Sequence, residues 1–499
     1  MSLARNSIYA FMANALPVIS AIATVPLYVS TIGVERYGAL VIAWTLLGYF
    51  GQADFGIGRA VAQRIASSRN SPPDQIASVV WSGIVSMLIL GGLGALFALV
   101  ASGYYFGEVM KVEPGLRQEL MRSLWALALC SPVVTLTGVL SGALIGMERF
   151  KYTSWSFLVS NLGLQILPLV AAATISKDLQ WLVAASLIGR ALGLVMMGTM
   201  VWRQFLAGQA VRPSWAEMRR LANFGAWIMV SALIGPLMIY SDRFIIGAIY
   251  GAFAVAVYTI PYQVAYRTLV LPQSVVGVLF PRFAALDDDE ALVRCRQFTV
   301  FVGQLFAPFI IGLICLAEPL LTLWLGSHLD PRSVEIAKII LLGVWFMALA
   351  NVPLALLQAR GNPQFTAMLS ISELPFYLGI LFILGNAFGL AGIAWAFTLR
   401  SAADAVILAW RARAVDRWLL GHVAPTAALV LLSVLASDLA PGWFAAMALA
   451  AILVAACLAH LLHTISRMPH DVRLQFERLP LVRSVLGRMS ERRAVDRSA

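Results

Sequence analysis

The sequence predicts an all-α polytopic membrane protein with about fourteen transmembrane helices. Three observations lead there. Of 499 residues, 60% are hydrophobic and only 12% are charged, whereas soluble domains carry about a quarter charged residues. Mean hydropathy is +0.82. Apolar runs of about twenty residues, enough to cross a bilayer core, recur along nearly the whole chain. Inside lipid the backbone has to satisfy its own hydrogen bonds, so such runs are read as helices.

In chain order the spans are 8–30, 37–57, 76–102, 120–145, 155–175, 179–202, 221–248, 252–283, 298–325, 334–358, 367–387, 391–410, 422–437 and 443–463. The first opens just after Arg5 and is too long for the apolar region of a signal peptide, so it reads as a true span. It holds Asn14, Pro17 and Pro26, and the eighth holds Pro261 and Pro272; each proline removes a backbone donor and permits bending. The longest connections before the tail, around 104–119 and 205–220, are too short for a folded catalytic domain. Cys130, Cys295, Cys315 and Cys457 lie scattered, mostly in apolar spans, and suggest packing rather than a disulfide frame or metal cluster.

The net charge of +11 is distributed as membrane orientation demands, which argues against a nucleic-acid partner. With the amino terminus inside, 25 of the 36 Lys and Arg residues fall on the cytoplasmic side, seven outside and four within spans. Both termini are therefore expected in the cytoplasm. The tail alternates apolar residues such as Leu474, Phe476 and Leu479 with Arg473, Arg478 and Arg483. It reads either as a basic amphipathic helix on anionic membrane lipid or as a solvated basic tail.

An internal repeat sets the domain organisation. The turn Ile32-Gly33-Val-Glu-Arg-Tyr37-Gly38 matches Tyr250-Gly251-Ala-Phe-Ala-Val255-Ala256. The exit of the fourth span, Ala143 to Thr153, matches that of the tenth, Ala355 to Thr366. Arg190 and Trp202-Arg203 match Arg400 and Trp410-Arg411. An even number of spans per copy makes the copies parallel. The expected arrangement is a six-helix N-lobe over 1–220 and a six-helix C-lobe over 221–420. A final pair of helices over 421–464 and a basic cytoplasmic tail over 465–499 follow.

The segment Phe50-Gly-Gln-Ala-Asp54-Phe-Gly56-Ile-Gly58-Arg59-Ala-Val-Ala-Gln-Arg64 closes the second span with a carboxylate, glycines and two arginines. It resembles the second-helix signature of the Wzx-type polysaccharide flippases of the MOP/MATE exporter superfamily. Ser241-Asp242-Arg243-Phe244-Ile245-Ile246-Gly247 in the seventh span and the parallel repeats add to that likeness, which covers about Arg5 to His463. The resemblance implies a secondary transporter of the bacterial inner membrane. Such a protein carries polyprenyl-diphosphate-linked oligosaccharide from the inner to the outer leaflet, with other polysaccharide-assembly membrane proteins as candidate partners.

A lipid-linked sugar diphosphate needs a polar interior with fixed positive charge. Arginine suits it, because the planar fork donates bidentate hydrogen bonds and stays protonated when buried. Arg190, Arg243, Arg267 and Arg400 are the arginines inside spans. Arg267 lies roughly 22 Å along the eighth span. Gln263 and Arg267 share a helix face, and Tyr258, Tyr262 and Tyr266 recur at the same spacing. Together with Asp242 and Asn14 these are the expected cavity residues. Arg400 and Asp404, four apart, are expected to satisfy each other. No cofactor motif is present; Asp54, Asp404 and Glu373 are the candidate carboxylates for coupling to a proton or sodium gradient.

Other readings fit less well. A multidrug/cation antiporter on the same fold calls for an acidic cavity, and a lipid-II-type peptidoglycan precursor flippase differs only in substrate. Enzyme readings find no support: Asp287-Asp-Asp289 sits in a short loop with no nucleotide-binding fold, and His460 and His463 lack a third zinc ligand.

Overall fold

A computed structural model describes residues 3–52, 56–68, 71–361 and 363–466, with side chains described from Leu16 onward apart from 49–52, 224–236, 278, 281 and 363. The signature carboxylate Asp54 and the basic tail beyond 466 lie outside the described residues. The described residues are 90% helical, and no strand occurs among them. Ten described helices are long and apolar enough to cross a membrane, and Leu16–Ile32 adds a shorter apolar one.

The first unit comprises Met1–Arg267, Leu321–Ile336 and Pro363–Phe397. It opens with α1 (Leu3–Ile32), α2 (Val34–Gln52) and α3 (Ile57–Ser67). The turn between α1 and α2 is made by Gly33 at φ +84°, a left-handed backbone that side chains disfavour. Helices α4 (Pro73–Tyr104), α5 (Pro114–Gly146), α6 (Phe150–Thr174) and α7 (Leu179–Val201) follow. Then comes α8 (Trp215–Arg267), which bends at Gly251, again at φ +84°. The two glycines matched in the sequence repeat thus make the same turn. The other matched exits also go left-handed, at Glu148 (φ 57°) and Gly361 (φ 73°).

Within this unit α6 lies on α7, α4 on α5, α2 on α8 and α1 on α6. The segment read as the end of the second span is a separate helix, α3, entered through Gly56 at φ +68°. Its Gly58 carbonyl lies directly against Gly142 of α5, so a methyl at Gly142 has no room. Arg64 on α3 forms a fork to Glu217 at 2.9 and 3.2 Å. The Arg64 guanidinium holds the Glu217 carboxyl below its ordinary range. Both residues flank the apolar spans.

A second correction concerns the eighth span, read from the sequence as one helix over 252–283. It breaks after Arg267 and resumes as α9 (Val270–Ala285). Pro272 has no N–H to offer the Thr268 carbonyl, which takes a shorter-range bond from Leu271 N–H at 3.1 Å.

The second unit comprises Thr268–Leu320, Ala337–Asn362 and Thr398–Ala499. Here α10 (Asp288–Cys315) packs on α14 (Arg417–Ala436) and α15 (Trp443–Ser466). Gln304 of α10 donates to Thr464 Oγ1 at 2.9 Å. Short α11 (Ala317–Leu325), α12 (Pro331–Ala359) and α13 (Pro363–Arg411) each have residues in both units, and α13 bends at Gly389, in its first-unit part. Arginines assigned to the cytoplasmic side also hold loops. Arg296 donates to the Arg413 and Ala414 carbonyls at 3.0 and 3.1 Å and pairs with Asp416. Arg360 pairs with Asp288 and donates to the Leu286 carbonyl.

Candidate functional site: a cationic cavity

A cavity of about 280 Å³ opens within the first unit, walled by α1, α2, α6, α7 and α8. Sequence periodicity decides which side chains reach it. On α1, Thr24 and Tyr28 are four apart; on α2, Tyr37, Trp44 and Gly48 recur at helical spacing and so share one face. Gln165 of α6 and Arg190 of α7 come from two helices in backbone contact. A methyl at Gly163 would sit 2.8 Å from the Gly189 Cα, so only glycines allow this approach. Tyr240, Arg243, Gln263 and Arg267 complete the wall from α8.

Three guanidinium groups therefore meet one small cavity. Among the described residues lining it there is no carboxylate, and none of the three arginines forms an ion pair among the described residues. Arg243, 6% exposed, lies 5.0 Å from the ring centroids of both Tyr240 and Tyr262. Such cation–π contacts are worth about 2 kcal/mol when desolvated, and they hold the cation without neutralising it. The Nε atoms of Arg190 and Arg243 are buried with no hydrogen-bond partner among the described residues. Concentrated positive charge with unused donors is complementary to a polyanion.

The remaining sequence candidates fall elsewhere. Tyr258, Tyr262 and Tyr266 stack on one another along α8, with centroids 5.8 and 5.5 Å apart. None of the three is among the residues lining the cavity, and Tyr262 acts through Arg243. Asp242 is 1% exposed and accepts the Arg243 backbone N–H at 2.7 Å. It too is absent from the lining, since neighbours on a helix point about 100° apart. Asn14 sits in α1, but its side chain lies outside the described residues. Asp404 and Glu373 are half-buried on α13 and are not among the lining residues. Arg400 also lies on α13, four residues before Asp404.

Sequence reasoning missed the aromatic side of the cavity. Tyr28, Tyr37 and Trp44 form a cluster, with centroids 5.5 to 6.4 Å apart. The Tyr28 hydroxyl donates to the Gln165 carbonyl at 2.5 Å, and Trp44 Nε1 donates to Ser186 Oγ at 2.9 Å. The regular spacing of polar and aromatic residues on α2 was the available signal; uncharged residues in an apolar span drew less notice than arginines.

Known proteins bear on this architecture. A Shigella flexneri protein named as an O-antigen transporter is 28% identical over 414 residues, covering 82% of this chain and 97% of its own. Two solved structures share the fold. A lipid II flippase in an inward closed conformation aligns at TM-score 0.68 and 13% identity, over 93% of this chain and 99% of its own. An inward-facing multidrug resistance MATE transporter of the MOP superfamily aligns at 0.65 and 14%, over 81% and 97%. The model of one protein family, described as polysaccharide biosynthesis protein, matches residues 3–287, more than half of the chain. The protein accordingly belongs to the polysaccharide biosynthesis protein family, built on the MOP/MATE fold.

Proposed function

We propose that this chain is a flippase that moves polyprenyl-diphosphate-linked oligosaccharide from the inner to the outer leaflet of the bacterial inner membrane. The observation that carries the reading is the cavity in which Arg190, Arg243 and Arg267 converge with no carboxylate among its described lining residues. A diphosphate presents two or more negative charges and several acceptor oxygens, which guanidinium forks bind bidentately. A cationic drug would meet like charge there, which disfavours the multidrug-antiporter reading. The name of the Shigella flexneri relative, an O-antigen transporter, supports a glycan cargo.

In this reading the chain has about fourteen spans: two parallel six-helix lobes over 1–220 and 221–420, then a final pair over 421–464. Both termini lie in the cytoplasm, as the Lys and Arg bias requires. The lobes alternate access around the cavity, while the polyprenyl tail stays in lipid. Any ion gradient that drives the cycle, proton or sodium, enters at a carboxylate, with Asp54, Asp404 and Glu373 as candidates. Glycosyltransfer and polymerisation are left to partner proteins.

The test is Arg267→Ala in cells that make the glycan. Delivery of lipid-linked sugar to the outer leaflet is expected to fall at least about tenfold, the loss of one charge-assisted contact, with protein level and insertion unchanged. Arg267→Lys restores delivery only in part, because a point charge does not reproduce the fork. Full delivery by Arg267→Ala refutes the diphosphate role.

A further inference from the structure

Trp44 is unusual among the aromatic residues of this cavity. Tyr28 and Tyr37 are each only 1% exposed, whereas Trp44 is half-buried. Its orientation is fixed from several sides. The indole N–H donates to Ser186 Oγ at 2.9 Å, and that hydroxyl, itself 0% exposed, donates onward to the Leu182 carbonyl at 2.9 Å. Tyr28 and Tyr37 meet it edge-on, at 81° and 86°. Among the described residues Arg243 spends its cation–π contacts on Tyr240 and Tyr262, and no guanidinium covers the Trp44 ring. A half-buried aromatic surface with no guanidinium over it among the described residues is thus held in the same cavity as the three arginines.

Size then limits what that surface can meet. The cavity of about 280 Å³ lies at the lower edge of the roughly 300–1,000 Å³ of small-molecule sites. It has room for a diphosphate and about one sugar ring, so further sugars extend beyond it. With the arginines holding the phosphates, the ring that reaches Trp44 is the one bonded directly to them.

Building on the diphosphate reading above, we propose that Trp44 is a specificity-determining residue. Its indole is the platform for the first sugar of the cargo, and Ser186 is the positioning residue that sets the indole. The cavity reads that one sugar and is indifferent to the rest of the repeat unit.

Binding to the full-length protein in nanodiscs tests this with three probes: polyprenyl diphosphate, the same lipid with one hexose, and the same lipid with a complete repeat unit. The wild type is expected to prefer the one-hexose lipid over the bare diphosphate by between about twofold and tenfold, the range of a specific aromatic contact. The complete repeat unit is expected to bind like the one-hexose lipid. Trp44→Ala should erase the preference while leaving polyprenyl diphosphate affinity unchanged. Trp44→Phe, which keeps a ring in the same place, should retain part of it and covers the case in which the alanine variant does not fold. Ser186→Ala should weaken the preference without touching the bare lipid.

Equal weakening of bare and sugar-bearing lipids by Trp44→Ala, or a preference that survives it, overturns the platform. A second gain in affinity from one sugar to the full unit overturns the one-sugar limit. Unchanged polyprenyl diphosphate binding in Arg267→Ala points instead to a failure of the diphosphate reading, so the two failures are separable.

Discussion

The contact between α6 and α7 makes Gly189→Ala a demanding test. A Cβ built on Gly189 would lie 2.5 Å from the Leu164 backbone nitrogen and 2.8 Å from the Gly163 carbonyl oxygen. The tightest contact is to the Gly163 carbonyl carbon; backbone atoms cannot rotate away, so relief to an ordinary contact near 3.4 Å requires the helices to part by about 1 Å. Overpacking of this kind costs about 1–3 kcal/mol. Helix propensity runs the other way, since alanine is favoured over glycine by about 1 kcal/mol in a helix interior. Any net loss of stability is therefore the steric cost less that gain, about 0–2 kcal/mol. We expect the thermal midpoint in nanodiscs to fall by up to about 4 °C. Arg190 follows Gly189 directly and moves with α7, so outer-leaflet glycan delivery should fall several-fold as well. Gly312→Ala, which meets nothing within 4 Å, is the control and should be neutral or slightly stabilising. Wild-type stability and delivery in Gly189→Ala would refute the claim that this close approach seats Arg190.

Two further expectations follow from named residues. The Glu217 carboxyl is held below its ordinary value of 4.5, chiefly by its hydrogen bond from Arg64. Its contribution to stability is therefore complete above that value and is lost as pH falls through the lower folded-state value. A pH series of thermal unfolding should show this acid-side loss in the wild type and a shallower one in Glu217→Gln; identical curves count against it. Second, Glu35 and Phe253 face one cavity of about 410 Å³, at the two matched glycine turns. If access alternates, spin labels at these positions should show two distances whose populations shift with lipid-linked sugar. A single unchanged distance in a transport-competent sample contradicts the two-lobe cycle.

Much of the molecule was legible without coordinates. Apolar length placed the helices, because a backbone in lipid has almost no alternative to the helix. Gly33 and Gly251 were matched as turns from their sequence context, and both adopt φ +84°. Arg190, Arg243 and Arg267 stood out because a charge within a span is costly and rarely incidental. Gln263 and Arg267 were placed on one face by their four-residue spacing, and both line the cavity.

What remained hidden depends on how helices are rotated against each other. Helical period says that Tyr258, Tyr262 and Tyr266 share a face, but not which neighbour that face meets; it stacks with itself and with Arg243 instead of opening to the cavity. Asp242 and Arg243 are adjacent in sequence, yet only one reaches the cavity. Trp44 drew no notice as a neutral aromatic in an apolar run, and its role emerges only where Ser186, Tyr28 and Tyr37 surround it. The break after Arg267 turns on whether Pro272 bends a helix or ends it, which helical period alone does not decide. Local hydrogen bonding and hydropathy act along the chain, and the sequence carried them. Backbone approach at Gly163 and Gly189 acts between helices far apart in the chain, and only the tertiary structure decided which charges converge.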